Sequence, residues 1–211
     1  MKQPTAFTAS LPTASPLHSY NPPHVFEIIQ IIYWLALSVW FGGVLFIAVA
    51  APTIMRTVRE NNPVLSHVLS VNLEGQHGTL LGGSIVGRIM SVLFPVELAC
   101  AGAILVTMIA QWALLQPSRE YLFGPILRAA LYLAAVALLL YHWRVLWPRA
   151  WRVRQEYIDH ADEPDVANPL LDQLDRLQSE SVTVLFFLVT VLLGLIVFSA
   201  NIRPAIVIPA H

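Results

Sequence analysis

The sequence predicts an all-α integral membrane protein, a bundle of four membrane-spanning helices. Of its 211 residues, 56% are hydrophobic and only 12% are charged, whereas soluble domains carry roughly 25% charged residues. The chain contains four apolar stretches, each long enough for the helix of about 20 residues that crosses a bilayer core. In residues 131–154 an apolar run passes into alternating aromatic and basic residues, which is typical of a membrane helix that reaches the headgroups.

The four spans are predicted at about residues 25–51, 85–112, 121–147 and 182–201, within a transmembrane domain of residues 25–202. Residues 1–24 are rich in Pro, Ser and Thr, so we predict a flexible tail there, and residues 203–211 form a short C-terminal tail. Asn62-Pro63 breaks the chain after the first span. Apolar residues at helical spacing then predict a short helix on the membrane surface.

The basic residues predict the orientation of the bundle. Eight of the twelve lie in or beside the two longer connections, which join spans one and two and spans three and four. Cytoplasmic loops carry an excess of Lys and Arg. We therefore expect both long connections in the cytoplasm and both termini outside.

An aromatic-basic segment closes the third span, and we interpret it as an anchor at the lipid interface. An alternative is that it binds anionic lipid headgroups. The anchor residues are Trp143, Arg144, Trp147, Arg149, Trp151 and Arg152.

Small residues one helical turn apart predict where helices pack closely. Ser38 and Gly42 form such a pair in the first span, and Gly83, Gly87 and Ser91 form two consecutive steps in the second. Pro95 removes one helix hydrogen bond, so we expect a kink there.

Glu97 and Arg128 are ionisable residues inside predicted spans. An ionisable residue at membrane depth is costly and is by default a functional hypothesis. The alternative is a structural glutamate that joins two helices. If spans two and three are antiparallel, Arg128 lies about 10 Å from the level of Glu97, which makes it the expected partner in an ion pair.

Of the seven histidines, only His142 is near a span, at the aromatic interface, where a structural role is expected. A haem held between helices needs facing histidines, so we predict neither haem nor copper, and no other cofactor. The single cysteine, Cys100, excludes CxxC metal motifs. No phosphate-loop, GxSxG or HExxH pattern occurs, so no catalytic residue is assigned. A net charge of −1 argues against nucleic acid as a partner.

Four segments taken in order resemble a known family. They are WFGGVLFIAVAAPTIMR (residues 40–56), GRIMSVLFPVELACAG (87–102), YHWRVLWPR (141–149) and LDRLQSESVTVLFFLVTVLLGL (174–195). The chain resembles the bacterial membrane family of unknown function that is related to transmembrane protein 205. Where that family has an aromatic residue, a histidine and a serine, this chain has Leu174, Gln178 and Ser181, so the histidine is absent. More distantly, WFGG is similar to the copper resistance D membrane domain, whose intramembrane histidines this chain lacks.

The resemblance implies an uncharacterised multi-pass protein of the bacterial inner membrane. Our first hypothesis is a helix-packing module or a subunit of a membrane complex, with the lipid bilayer and a homo-oligomer or larger complex as partners. One alternative is a copper- or haem-handling membrane protein. The other is a small transporter or permeation module centred on Glu97.

Overall fold

The computed structural model describes residues 23–61, 77–115, 123–160 and 163–200. They form α1 (Pro23–Asn61), α2 (His77–Leu115), α3 (Phe123–Tyr141), a π-helical segment (His142–Leu146), α4 (Trp147–Asp159) and α5 (Pro164–Ala200). The predicted tails and surface helix lie wholly or mostly outside these ranges.

Within the described ranges, four helices are long and apolar enough to cross a membrane. They run over His24–Val58, Leu81–Leu114, Phe123–Asp159 and Pro164–Ala200, the third including the π-helical segment. This confirms the predicted all-α, four-helix fold. The outward orientation of both termini stays a prediction.

The helices extend well beyond the predicted spans. α1 has 39 residues and is therefore about 58 Å long, against a hydrocarbon core of about 30 Å. The segment after the third span, predicted to be polar connection, is helical as α4, and Tyr157 of α4 packs against Ala167, Leu170 and Leu171 of α5. This contact covers the apolar face of the first turns of α5, so the helix begins long before the predicted fourth span.

α1 and α5 hold the bundle together. α1 packs against α2 and α5, and α5 also packs against α3 and α4. α2 and α3 are antiparallel and meet mainly through long side chains. For example, the Tyr132 hydroxyl of α3 donates a hydrogen bond to the Ala101 carbonyl of α2. This looser pairing leaves space between α2 and the third span.

Buried residues recur at alternating intervals of three and four on every spanning helix, the spacing of a packed helix seam. On α1 they are Tyr33, Leu37, Trp40, Val44 and Ile47, and on α2 they are Met90, Phe94, Glu97, Ala101 and Ile104. On α3 and the π-helical segment they are Arg128, Tyr132, Ala135, Leu139 and His142. The seams therefore carry ionisable residues into the core.

Large apolar side chains cover the outer faces, among them Leu35, Val106, Ile109 and Phe187, each more than half exposed. Soluble monomers rarely expose apolar patches of such extent. This surface suits lipid, in which helices associate through close packing and hydrogen bonds rather than through the hydrophobic effect.

Candidate functional site

Glu97 lies at the middle of its membrane-spanning helix, Leu81–Leu114. The residue is 2% exposed because it occupies the seam of α2. Its Oε1 atom has no hydrogen-bond partner among the residues that the structure describes. A Cβ atom placed on Gly43 of α1 would lie 3.9 Å from that oxygen. The missing side chain at Gly43 therefore leaves room for the carboxyl group against α1.

The expected ion pair between Glu97 and Arg128 is not formed. Over the described ranges, Nε and Nη2 of Arg128 have no hydrogen-bond partner, and no ion pair joins this guanidinium to Glu97. Glu97 lies one turn before Ala101 on α2, and Arg128 lies one turn before Tyr132 on α3. Because α2 and α3 are antiparallel, these two steps lead towards opposite ends of the bundle. Since Tyr132 and Ala101 are hydrogen-bonded, the backbone levels of Glu97 and Arg128 differ by about 12 Å along the bundle.

Arg128 instead lies over an aromatic ring. Its Cζ atom is 4.2 Å from the centre of the Tyr33 ring of α1, a cation–π contact. The Tyr33 hydroxyl shares a 2.6 Å hydrogen bond with the Ser199 hydroxyl of α5. This cluster joins three helices near one end of the bundle.

Two aromatic residues lie between Arg128 and the level of Glu97. The Tyr132 hydroxyl donates a 2.9 Å hydrogen bond to the carbonyl of Ala101. The Trp40 ring lies edge-on to Tyr132, with ring centres 6.4 Å apart. Nε1 of Trp40 is buried without a hydrogen-bond partner in the described part of the chain. One turn from Glu97, the core thus contains a hydroxyl and an indole N–H.

His142 lies on the other side of Glu97 and is 3% exposed. It is therefore not at the exposed aromatic interface, where we expected it from the sequence. Its ring is 5.4 Å from that of Phe94, which precedes Glu97 by one turn. Nδ1 of His142 has no hydrogen-bond partner within the described segments. Arg128, Tyr132 and His142 share one seam, so His142 is a core residue of the bundle.

The π-helical segment begins at His142. The amide of Trp147 donates to the His142 carbonyl, five residues back, so this turn is wider than an α-helical turn. Single π turns occur frequently at functional sites. Leu146 at the end of this segment, followed by Val153 and Tyr157 of α4, continues the buried face of the third span.

A cavity opens beside the π-helical segment and is called the π-helix cavity here. It has a volume of about 120 Å³ and lies between α1, α2, α4 and α5. A space of this size is large enough for water beside its few polar side chains. Its polar lining residues are His142, Arg154, Gln178 and Ser181, and its apolar ones include Met55, Met90, Trp147 and Leu174.

A second space, the α2–α3 groove, lies on the opposite side of Glu97. Its volume is about 610 Å³. Arg128, Tyr132 and Gln111 supply its polar lining, and the rest is apolar. Glu97 is therefore placed between two spaces, with Tyr132 towards the groove and His142 towards the cavity.

The predicted packing residues divide into two groups. A Cβ atom on Gly87 would lie 3.2 Å from Cη2 of Trp147, and one on Gly83 would lie 3.7 Å from Nη1 of Arg154, so both glycines face α4. Ser91 is exposed and bonds the Arg88 carbonyl of its own helix, so it faces away from the bundle.

The pair Ser38 and Gly42 also faces outward. Ser38 is exposed, and a Cβ atom on Gly42 would meet no described atom within 4 Å. Gly43 is the glycine of α1 that packs, since a Cβ atom there would lie 3.1 Å from Leu93 of α2. α2 continues through Pro95 without a break.

The predicted anchor residues are partly core residues. Trp143 and Trp147 are half-buried and pack on Phe94, with ring centres 6.4 and 6.0 Å away. Arg144 lies over Trp143 at 4.9 Å. The exposed members that can meet lipid headgroups are Arg144, Arg149, Trp151 and Arg152.

Sequence reasoning missed Tyr132, Trp40, Phe94 and both spaces. The available signal was the alternating spacing of three and four, which places Trp40, Phe94 and Tyr132 on the same seams as the charged residues. In the described part of the chain, no group of three His, Cys, Asp or Glu residues could hold a metal ion. Glu97 and His142 are the groups of this site that can take up and release a proton.

Comparisons with protein-family models, with curated proteins and with solved structures gave no match for this chain.

Proposed function

We propose that the protein is a small proton-permeation module of the bacterial inner membrane, with Glu97 as its proton-binding group. The observation that supports this is the position of Glu97, buried at mid-span between two spaces and about 12 Å from the level of Arg128. Chains of acidic residues and histidines in membrane helices are typical of proton relays. The proposal makes Glu97 functional rather than helix glue.

On one side, the relay begins in the α2–α3 groove, where the Tyr132 hydroxyl is the polar group nearest in register to Glu97. On the other side, water in the π-helix cavity reaches His142. The Phe94 ring separates His142 from Glu97 by one turn. Within this proposal, Phe94 is the gate of the relay, because its ring packs on His142 and its position on α2 is one turn from Glu97.

The direction of the relay follows from the basic residues. α4, which lines the π-helix cavity, also carries the exposed Arg149 and Arg152. Under the positive-inside rule this end faces the cytoplasm, and both termini lie outside. The relation to the family of transmembrane protein 205 is part of the same proposal.

A flux assay tests this function. The purified protein is placed in vesicles that contain a pH-sensitive dye, and a potassium diffusion potential drives protons inward. We expect acidification well above that of protein-free vesicles, which falls to the protein-free rate in Glu97→Gln. Glu156→Gln is the matched control because Glu156 is an exposed carboxylate of α4.

Two results would contradict the proposal. One is equal acidification with wild-type protein and Glu97→Gln. The other is a Glu97-dependent flux of sodium, followed with a sodium-sensitive dye, without any proton flux.

A second candidate function is that of a subunit that packs on another helix. The observation that favours it is the outward-facing pair Ser38 and Gly42, which is open to a partner. Gly42→Leu should then lower the oligomer fraction measured in detergent by light scattering. Gly102→Leu is the control, since Gly102 also faces open space within the described structure. Equal oligomer fractions in all three proteins would exclude packing through this pair.

A further inference from the structure

The second space in the bundle has the chemistry of a lipid site. We propose that the α2–α3 groove binds a membrane phospholipid, with its phosphate at Arg128 and an acyl chain along the apolar wall. The proton relay proposed above also begins in this groove, but the lipid proposal rests on Arg128 and the apolar wall, and its test measures lipid binding rather than proton flux.

Arg128 brings a buried positive charge to the groove. The residue is 6% exposed, and across the described ranges Nε and Nη2 lack hydrogen-bond partners. The Tyr33 ring covers one face of the guanidinium but offers no anion. Burying a charge without a partner is costly, and phosphate is an anion that guanidinium groups bind readily. An anionic group in the groove would complete this site.

The shape and lining of the groove suit an amphiphile. It has about 610 Å³ of space, and its walls include Leu105, Met108, Ile126 and Leu133. Gln111, also in the wall, is 6% exposed, and its amide can bond a second phosphate oxygen. One polar end beside a long apolar wall fits an amphiphile better than a free anion.

The depth of Arg128 along the bundle also fits a phospholipid. Arg128 lies five residues after Phe123, the first residue of α3, which is about 7.5 Å along the helix. Trp112, in the last turns of α2, is 62% exposed and lines the same groove. Tryptophan is enriched at headgroup level. The guanidinium is therefore placed near the headgroups, while the rest of the groove faces the acyl chains.

Lipid binding is measured on delipidated protein in detergent by native mass spectrometry. Phosphatidylglycerol is the probe, and diacylglycerol with the same acyl chains is the ligand that lacks the phosphate. We expect Arg128→Gln to weaken phosphatidylglycerol binding about tenfold or more, as expected for the loss of a charge-assisted hydrogen bond. Diacylglycerol should bind wild-type protein and Arg128→Gln alike. Arg88→Gln is the control, since Arg88 is an exposed arginine of α2.

A second variant tests the groove without removing the charge. Ala130 is exposed and lines the groove, so Ala130→Trp should fill it and reduce phosphatidylglycerol binding, whereas Ala99→Trp, on an exposed face of α2, should not. The proposal is overturned if Ala130→Trp binds phosphatidylglycerol as wild-type protein does. It is equally overturned if Arg128→Gln does so, or if inorganic phosphate competes with the lipid at equal concentration, which would indicate a site for free anions.

Discussion

The guanidinium of Arg128 lies on the ring of Tyr33, 4.2 Å from Cζ to the ring centre. Both residues are buried, on α3 and α1. The Tyr33 hydroxyl extends the contact to Ser199 of α5. A positive charge in the bundle is therefore held by an aromatic face and not by the carboxylate of Glu97.

The first prediction concerns the two parts of Tyr33. Tyr33→Phe keeps the ring and removes the bond to Ser199, so we expect a loss of about 1 kcal/mol in the free energy of unfolding. Tyr33→Leu also removes the cation–π contact, worth up to about 2 kcal/mol when desolvated. Unfolding in mixed detergent micelles measures both.

Ser199→Ala is the control for the hydroxyl bond. Its loss should not add to that of Tyr33→Phe, because both changes remove the same bond. Equal losses for Tyr33→Phe and Tyr33→Leu would contradict a contribution from the ring.

The second prediction is that Glu97 and Arg128 are energetically independent. Their levels differ by about 12 Å, and separated residues without shared partners show additive effects to within about 0.5 kcal/mol. The losses of stability in Glu97→Gln and Arg128→Gln should therefore add in the double variant. If the double variant loses clearly less stability than the sum of the two single losses, the residues are paired, which the structure does not show.

The third prediction concerns the contact of Gly87 with Trp147. A Cβ atom at Gly87 would lie 3.2 Å from the Trp147 ring, so Gly87→Leu overpacks the interface of α2 and α4. We expect a loss of about 1–3 kcal/mol, measured as lower heat resistance in detergent. Gly102→Leu, on an open face of the same helix, should retain the parent's resistance. If both variants behave alike, Gly87 does not support close packing.

The fourth prediction is the orientation. Fusions of a reporter active only outside the cytoplasm should be active at His211 and inactive when inserted between His160 and Pro164, because the arginines of α4 favour the cytoplasm. Glycosylation or alkaline phosphatase activity provides the readout. An inactive C-terminal fusion together with an active internal one would reverse the assignment.

Much of the bundle could be predicted from the sequence because hydropathy over about 20 residues determines membrane spans. The burial of Glu97 was predictable from a different signal, the spacing of three and four residues that Phe94, Glu97 and Ala101 follow. The predicted ion pair between Glu97 and Arg128 was wrong, because the prediction compared only the levels of the two residues along their helices. It did not include the ring of Tyr33 on α1, which contacts the guanidinium instead. Which of two partners takes a guanidinium depends on tertiary packing.

The π-helical turn and the cavity beside it could not be predicted. One extra residue in a turn leaves no local pattern in HWRVL. The Trp143 and Trp147 rings of this region pack against Phe94 of α2, a tertiary contact that the local sequence does not show. His142 was expected at the interface because its neighbours are aromatic, but two of those neighbours themselves pack inward.

The most direct test of the account is whether the carboxyl group of Glu97 takes up and releases a proton within the folded protein. Infrared difference spectroscopy of the protein in lipid films follows the C=O stretch of protonated carboxyl groups as the pH is changed. The Glu97→Gln spectrum identifies the Glu97 contribution, and Glu156→Gln provides the exposed control. We predict a protonated-carboxyl band that changes reversibly with pH and is absent from Glu97→Gln but present in Glu156→Gln. A band unchanged by Glu97→Gln, or a Glu97 band that does not respond to pH, would contradict it.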